Sequence, residues 1–348
     1  MTELHSNCQQ PSGETPELTD LRRWTLAHWH SVPSEQAPLP WQPLPGDAGF
    51  RRYFRVPSAL AVYAPPATED SVAFVRIAEH LRELGLAAPT VYAADVQAGY
   101  LLIEDLGAIS LLDALNADTQ GPLYAGAIEA LVSMQAAPPP AGLPRYDGAR
   151  LRAELDLFGE WYIGGLLGLT CPEPLLERTW TRLVELALDQ PQVMVHRDFH
   201  SRNLLVRSDQ LPGIIDFQDA VVGPYTYDLV SLLKDCYIQW PQAIIAEHCE
   251  HYLNRAEAAG ILGERPVDFQ RQFDWMGLQR HIKVLGVFAR LWLRDGKSRY
   301  LSDLPQVLAY VRQTLRHYPE LGEFMRWFEA EPLRAAECTD WYVTREPQ

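Results

Sequence analysis

Val195-His196-Arg197-Asp198-Phe199-His200-Ser201-Arg202-Asn203-Leu204-Leu205-Val206, continued by Gly213-Ile214-Ile215-Asp216-Phe217, decides the fold of this chain. A short apolar strand, Val193 to Val195, delivers a His-x-Asp. Asn203 follows five residues after Asp198, and Asp216 thirteen residues after that, at the end of a second apolar strand. Single Asp, Asn and His residues between apolar runs are ordinarily turn and cap residues. Here they come in fixed order between two strands, which favours a catalytic loop. The residue types suit phosphoryl transfer to a hydroxyl: Asp198 to orient the acceptor and take its proton, and the oxygen donors Asn203 and Asp216 for the magnesium that bridges and neutralises phosphates.

At 348 residues the chain exceeds the span of one hydrophobic core, so two domains are expected. A composition of 47% hydrophobic and 22% charged residues is that of a soluble globular protein. No apolar run approaches the length of a membrane span, and Met1 to Glu14 lacks the basic-then-apolar order of a signal peptide, so a cytoplasmic location without a membrane partner is expected; a monomer is expected separately. Five scattered cysteines without metal-ligand spacing argue against a zinc site or a disulfide framework. The net charge of −15 argues against nucleic acid as a partner, so an anionic nucleotide has to be held by magnesium and local basic groups.

In chain order, residues 1–14 read as a disordered arm. A helix begins near Thr15 with Pro16 in its first turn and an apolar stripe of Leu18, Leu21, Trp24, Leu26 and Trp29; the Pro-rich stretch Val32 to Pro45 reads as loop. Gly46-Asp47-Ala48-Gly49 then leads into a basic strand with Arg51, Arg52 and Arg55. The residues alone favour an ordinary hairpin; their place ahead of the catalytic loop favours one that covers phosphates, with Gly46 and Gly49 admitting backbone amides and the arginines supplying charge. No lysine precedes Lys234, so one of these arginines, with Glu69, Glu79 or Glu83 as partner, is the candidate phosphate anchor. A further strand, a helix over 70–84 and a strand pair turning at Gly99 follow, and the exit Glu104-Asp105-Leu106-Gly107 offers backbone groups to an adenine edge. Beyond it the pattern is helical over 109–135, 149–168 and 173–188, and again almost at once after Asp216. Glu154, Phe158 and Trp161 share a helix edge, as do Gln279 and Lys283 beside Arg280; each set is read either as lining for an acceptor or as ordinary core edge and solvated basic face.

His196-Arg197-Asp198 with Asn203 and Ile215-Asp216-Phe217 resembles the aminoglycoside phosphotransferase-like small-molecule kinases. More narrowly, Gly46 to Tyr53, Ala64-Pro65-Pro66, Glu104 to Gly107, His196 to Asn203 and Gln279 to Arg290 resemble the bacterial cell-wall sugar kinases that phosphorylate N-acetylmuramate and N-acetylglucosamine at the anomeric position. The resemblance implies an α+β, bilobal protein-kinase-like fold: a small β-rich N-lobe over 15–107 for the nucleotide and a large, mostly helical C-lobe over 108–348 for the catalytic loop and the sugar. It implies ATP and Mg2+ as cofactors, a small-molecule sugar as substrate and a role in peptidoglycan recycling toward UDP-N-acetylmuramate. By position, Asp198 is the base, Asn203 and Asp216 are metal ligands, Gly46, Gly49, Arg51, Arg52, Arg55, Glu104 and Leu106 belong to the ATP site, and Arg202, Trp161, Gln279, Arg280 and Lys283 to the acceptor. The chain departs from the wider kinase pattern in lacking the strand lysine and in carrying Gln218 after Asp-Phe. Two other readings stay open: a different small alcohol as acceptor (aminoglycoside, choline or homoserine), and a non-catalytic ATP-binding pseudokinase.

Overall fold

Alternating apolar residues and tight turns fold the first part of the chain into a sheet. In the computed structural model, which describes residues 15–29, 40–45, 49–207 and 211–344, helix α1 (Pro16–His28) leads to strands β1 (Gln42–Pro43), β2 (Arg52–Val56) and β3 (Ala59–Tyr63), helix α2 (Ser71–Glu83), and strands β4 (Val91–Asp95) and β5 (Tyr100–Glu104). The five strands form an antiparallel sheet in the order β1-β2-β3-β5-β4. Gly99, at φ 75°, turns β4 into β5; a Cβ there would sit 2.2 Å from the Ala64 carbonyl oxygen, so the turn requires glycine. Leu18 and Leu21 of α1 pack with Phe54, Val56, Ala59, Ala61 and Leu102 as the core of this unit.

Two details differ from the sequence reading. Leu26 is exposed and Thr25 buried, because the Thr25 hydroxyl donates to Leu21 O at 2.9 Å and so enters the core satisfied. The Pro-rich loop contains β1, whose Gln42 and Pro43 pair with Arg55 and Phe54; proline is tolerated on this edge strand. The expected arm 1–14, residues 30–39 of the loop region and Gly46 lie outside the described residues.

The chain divides into two compact units: residues up to Val75 with Thr90–Asp105, and Arg76–Pro89 with the chain from Leu106 onward. The boundary thus crosses α2 and splits the stretch 15–107. Segment 76–89 groups with the second unit because Ala87 bridges Gly213 in parallel and accepts the Ile214 N–H at 2.9 Å.

The second unit is mostly helical: α3 (Leu111–Ala114), α4 (Gln120–Ala136), α5 (Gly148–Leu157), a π-helical stretch Phe158–Leu166, and α6 (Glu173–Asp189). Strands β6 (Gln192–Val195), β7 (Leu204–Leu205), β8 (Gly213–Ile214) and β9 (Val221–Pro224) come next, then α7 (Thr226–Leu233), α8 (Gln242–Ala258), α9 (Phe269–Leu293), α10 (Leu304–His317), α11 (Gly322–Phe328) and α12 (Arg334–Glu337). The helix expected over 109–135 is interrupted, because a Ser110/Asp113 capping box starts α3 and the Asn116 side chain gathers the N–H groups of Asp118 and Thr119 into a turn before α4. After Asp216 the chain does not enter a helix at once: the β-branched pair Val221-Val222 forms β9, which lies antiparallel to β6 with Val195 opposite Val221. Helix α9, buried on nearly every side, is the centre of the unit, with α5, the π-helical stretch, α6, α7 and α10 packed on it.

Candidate active site

Two antiparallel strand pairs, β6 with β9 and β7 with β8, frame the loop from His196 to Asn203. Inside that frame the loop is held by buried side chains. His196 is fully buried; its Nδ1 accepts the Asp198 N–H at 3.2 Å, so its Nε2 carries the proton and donates to Ile215 O at 3.0 Å. Burial pushes the imidazole down to about 4, leaving it a neutral strut between the loop and the segment carrying Asp216. Arg197 sits in the left-handed region at φ 77°, and Asp228 of α7 clamps this strained turn by accepting the N–H groups of His196 and Arg197. Further along, Asp235 accepts the Ser201 N–H at 2.9 Å and the Ser201 hydroxyl, and also receives the Tyr237 N–H at 3.1 Å.

Asp198 lies within a field of cations. Burial raises its carboxyl, but Lys283 first, then His200 and Arg197, outweigh burial and hold it below the ordinary range. The two fixed cations are balanced on their other side by Glu154 of α5, which ion-pairs with Arg197 and lies 3.2 Å from Lys283 Nζ. Burial raises Glu154 as well, and Lys283 and Arg197 again win. Tyr146 donates to the remaining Glu154 oxygen, and Lys283 donates to the Tyr227 hydroxyl at 3.0 Å. Asp198 is therefore ionised at neutral pH and can receive a proton from an acceptor hydroxyl.

Asn203 Nδ2 donates twice, to Asp198 O at 3.0 Å and to Asp216 Oδ2 at 3.2 Å, which leaves Oδ1 as the amide atom without a partner among the described residues. Gln218 donates to the other Asp216 oxygen at 2.9 Å. Asp216 itself adopts φ 65°, a left-handed kink that turns its carboxylate toward Asn203. Asn203 thus ties the backbone of the half-buried Asp198 to the carboxylate of Asp216, and brings the three sequence-predicted residues onto adjoining turns. Among the described residues no group of three or more His, Cys, Asp or Glu could hold a metal on its own.

Residues 40–262 match the family model described as the phosphotransferase enzyme family. The chain belongs to this family. It is 46% identical over 316 residues, 88% of this chain and 91% of the other, to a protein of Pseudomonas putida named N-acetylmuramate/N-acetylglucosamine kinase. A protein of the same name from Pseudomonas aeruginosa is 41% identical over 304 residues, covering 85% of this chain and 88% of that one. Among solved structures, the ADP-bound aminoglycoside phosphotransferase APH(2'')-Ib superposes with a TM-score of 0.54 at 13% identity, covering 83% of this chain and 96% of that one. The phosphotransferase is accordingly a kinase with an alcohol group as acceptor, and its fold is the α+β kinase-like one, with an antiparallel N-terminal sheet and a mostly helical remainder.

The other predicted residues fall into distinct environments in this phosphotransferase. In the first unit, Arg51 is buried with NH2 3.0 Å from Glu69, close enough for an ion pair but angled too poorly for a hydrogen bond; its Nε has no partner, and its guanidinium sits 5.4 Å from the Phe74 ring centre. Arg55 is engaged by Asp105 through two hydrogen bonds, Arg52 is exposed, and the Glu104 carboxylate receives both the N–H and the hydroxyl of Thr90. Gly49 has Glu69 within 3.5 Å of where a Cβ would stand. In the second unit Leu106 is buried, and a Cβ on Gly213 would meet its Cδ1 at 3.2 Å. The cluster on α9 is no solvated face: Gln279 and Arg280 are buried, Arg280 turns to the Cys236 sulfur at 3.5 Å, and Lys283 reaches the Glu154 carboxylate at 3.2 Å. Trp161 lies in the π-helical stretch, half-buried against the helical core. Sequence reasoning missed Asp228 and Asp235. A signal was available for Asp228, an acid ahead of the apolar run Leu229-Val230, where burial demands donors; Asp235, beside Lys234, carried none.

Proposed function

We propose that this kinase transfers the γ-phosphoryl group of ATP to the anomeric hydroxyl of N-acetylmuramate and N-acetylglucosamine, giving the 1-phosphates and feeding UDP-N-acetylmuramate formation in peptidoglycan recycling. The observation that carries the sugar assignment is the 46% identity over 88% of the chain to a kinase of that name. Asp198 orients the hydroxyl and accepts its proton. An anomeric hydroxyl is more acidic than an ordinary alcohol, because the ring oxygen withdraws electron density, so a carboxylate held below its usual range suffices as acceptor. Lys283 and Arg197, neutralised in turn by Glu154, keep Asp198 charged and in place. Asn203 Oδ1 and Asp216 fit Mg2+, a hard ion that takes few protein oxygens and fills its remaining positions with phosphate oxygens and water. When bound, it supplies charge neutralisation on the transferred group. No helix among the described residues is long and apolar enough to cross a membrane.

The test is the identity of the phosphorylated oxygen. N-acetylglucosamine should give a glycosyl phosphate whose phosphorus couples to the anomeric proton, and its 1-O-methyl glycoside should not be turned over. A 6-phosphate coupled to methylene protons would defeat the anomeric reading while leaving the roles of Asp198, Asn203 and Asp216 intact.

A further inference from the structure

Arg202 is a cation of the catalytic loop that no acid answers. Its guanidinium lies over the Tyr237 ring, 3.5 Å from the ring centre, and has no carboxylate partner among the described residues. By contrast, Arg197 and Lys283 are opposed by Glu154 and Asp198. Residues 202 and 203 also serve different groups. Asn203 turns its amide to Asp216 and Asp198 O, whereas Arg202 reaches the segment between α7 and α8. Around Tyr237 the structure collects the parts of a recognition surface: the His200 ring packs edge-on at 5.3 Å with its Nδ1 buried and unpartnered, and Phe288 of α9 stacks at 6.4 Å.

We propose that Arg202 determines acceptor specificity by receiving a carboxylate of the sugar, the lactyl carboxylate that distinguishes N-acetylmuramate from N-acetylglucosamine; this rests on the substrate reading above. Stacking on Tyr237 fixes the guanidinium plane without neutralising it. A fixed planar fork suits a carboxylate, which it can bind through two parallel hydrogen bonds. The same unopposed charge repels a polycationic acceptor of the aminoglycoside kind. For N-acetylglucosamine, which has a plain hydroxyl at the lactyl position, the guanidinium stays hydrated, so one site serves both sugars with a preference set by Arg202.

The experiment compares kcat/KM for N-acetylmuramate, its lactyl methyl ester and N-acetylglucosamine in wild type, Arg202→Gln and Arg202→Lys. In Arg202→Gln the ratio of N-acetylmuramate to N-acetylglucosamine activity should fall about tenfold or more, the usual effect of losing a charge-assisted hydrogen bond. Wild type should discriminate the acid from its ester, Arg202→Gln should not, and Arg202→Lys should recover part of the difference. Because every readout is a ratio within one variant, a general loss of activity does not imitate it. An unchanged ratio, or ester discrimination that survives in Arg202→Gln, overturns the proposal while the substrate reading stands. Wild-type failure to phosphorylate either sugar overturns both.

Discussion

Asp228, in the first turn of α7, accepts the backbone N–H groups of both His196 and Arg197, at 2.6 and 3.0 Å. One side chain thus holds the two residues that precede Asp198, the proposed base, and holds Arg197 at a positive φ that few residues adopt unaided. Burial pushes the Asp228 carboxyl up to about 7, against the pull of the two amides. A raised carboxyl binds its proton more tightly in the folded chain than in the unfolded one, so the contribution of this group is full below about pH 4 and is lost as pH rises through about 7.

Replacing Asp228 with Asn should remove that slope. At about 1.4 kcal/mol for each pKa unit, the wild-type contribution changes by up to about 4 kcal/mol between pH 4 and 8. Urea denaturation at several pH values should therefore show wild type losing stability relative to Asp228→Asn as pH rises. The variant should also lose kcat by about tenfold or more, since an amide group cannot accept with both of its arms. Parallel stability curves for the two proteins would contradict the assignment.

For Asp198→Asn, kcat should fall by about 10²- to 10⁴-fold while ATP still binds, because the substitution removes a proton acceptor rather than a nucleotide contact. Lys283→Met is the finer probe. Lys283 is the leading cation among those that hold Asp198 down, so its removal should raise the Asp198 carboxyl and move the acid limb of the kcat–pH profile toward neutrality. In wild type that limb should lie below about pH 4, the ordinary aspartate range. A limb at the same pH in both proteins would show that Lys283 does not tune Asp198.

The neighbourhood of the proposed chemical residues was legible in the sequence where it depends on short spacing. His196, Asp198, Asn203 and Asp216 lie on one hairpin-like run, and the apolar strands that join them are visible as Val193 to Val195 and Gly213 to Ile215. Helix α9 carries apolar residues along all of its 25 residues, a pattern of the kind a sequence displays directly. What was not legible depends on contacts between distant segments. Glu154 meets Arg197 across 43 residues, Asp228 meets His196 across 32, and no local pattern marks either pair. The burial of Gln279 and Arg280 escaped for a related reason: composition marks polar residues as surface, and only the packing of α7, α5 and α10 around α9 places them inside.

In the first unit, the buried Arg51 beside Glu69 is the candidate for the charge that the missing lysine would carry, whereas Arg55 is taken by Asp105. Arg51→Ala should raise the KM for ATP about tenfold or more, and Arg52→Ala, at an exposed position, should change it little. Glu69→Gln should give a smaller rise, by loosening the guanidinium rather than removing it. Steady-state kinetics in ATP at saturating sugar decides this, and wild-type values in Arg51→Ala would place the anchor elsewhere.

Two glycines of α9 give the last prediction, and they should respond in opposite directions to the same substitution. A Cβ on Gly277 would meet Val230 Cγ1 at 3.5 Å, an ordinary contact, so Gly277→Ala should stabilise the helix by about 0.5–1 kcal/mol by restricting the unfolded chain. A Cβ on Gly286 would stand 2.4 Å from the Leu157 carbonyl carbon, where α5 passes into the π-helical stretch, and backbone there cannot swing aside as a side chain would. Gly286→Ala should therefore cost about 1–3 kcal/mol, the range for overpacking. It should also act on the site, since Lys283 lies one turn before Gly286 on α9 and its partner Glu154 one turn before Leu157 on α5. Pushing the two helices apart lengthens that ion pair and weakens the hold of Lys283 on Asp198. The acid limb of kcat should then rise in Gly286→Ala in the direction of Lys283→Met and by less, at a temperature where both variants remain folded, while Gly277→Ala leaves it in place. Equal thermal stability of the two alanine variants would refute the close approach on which the argument stands.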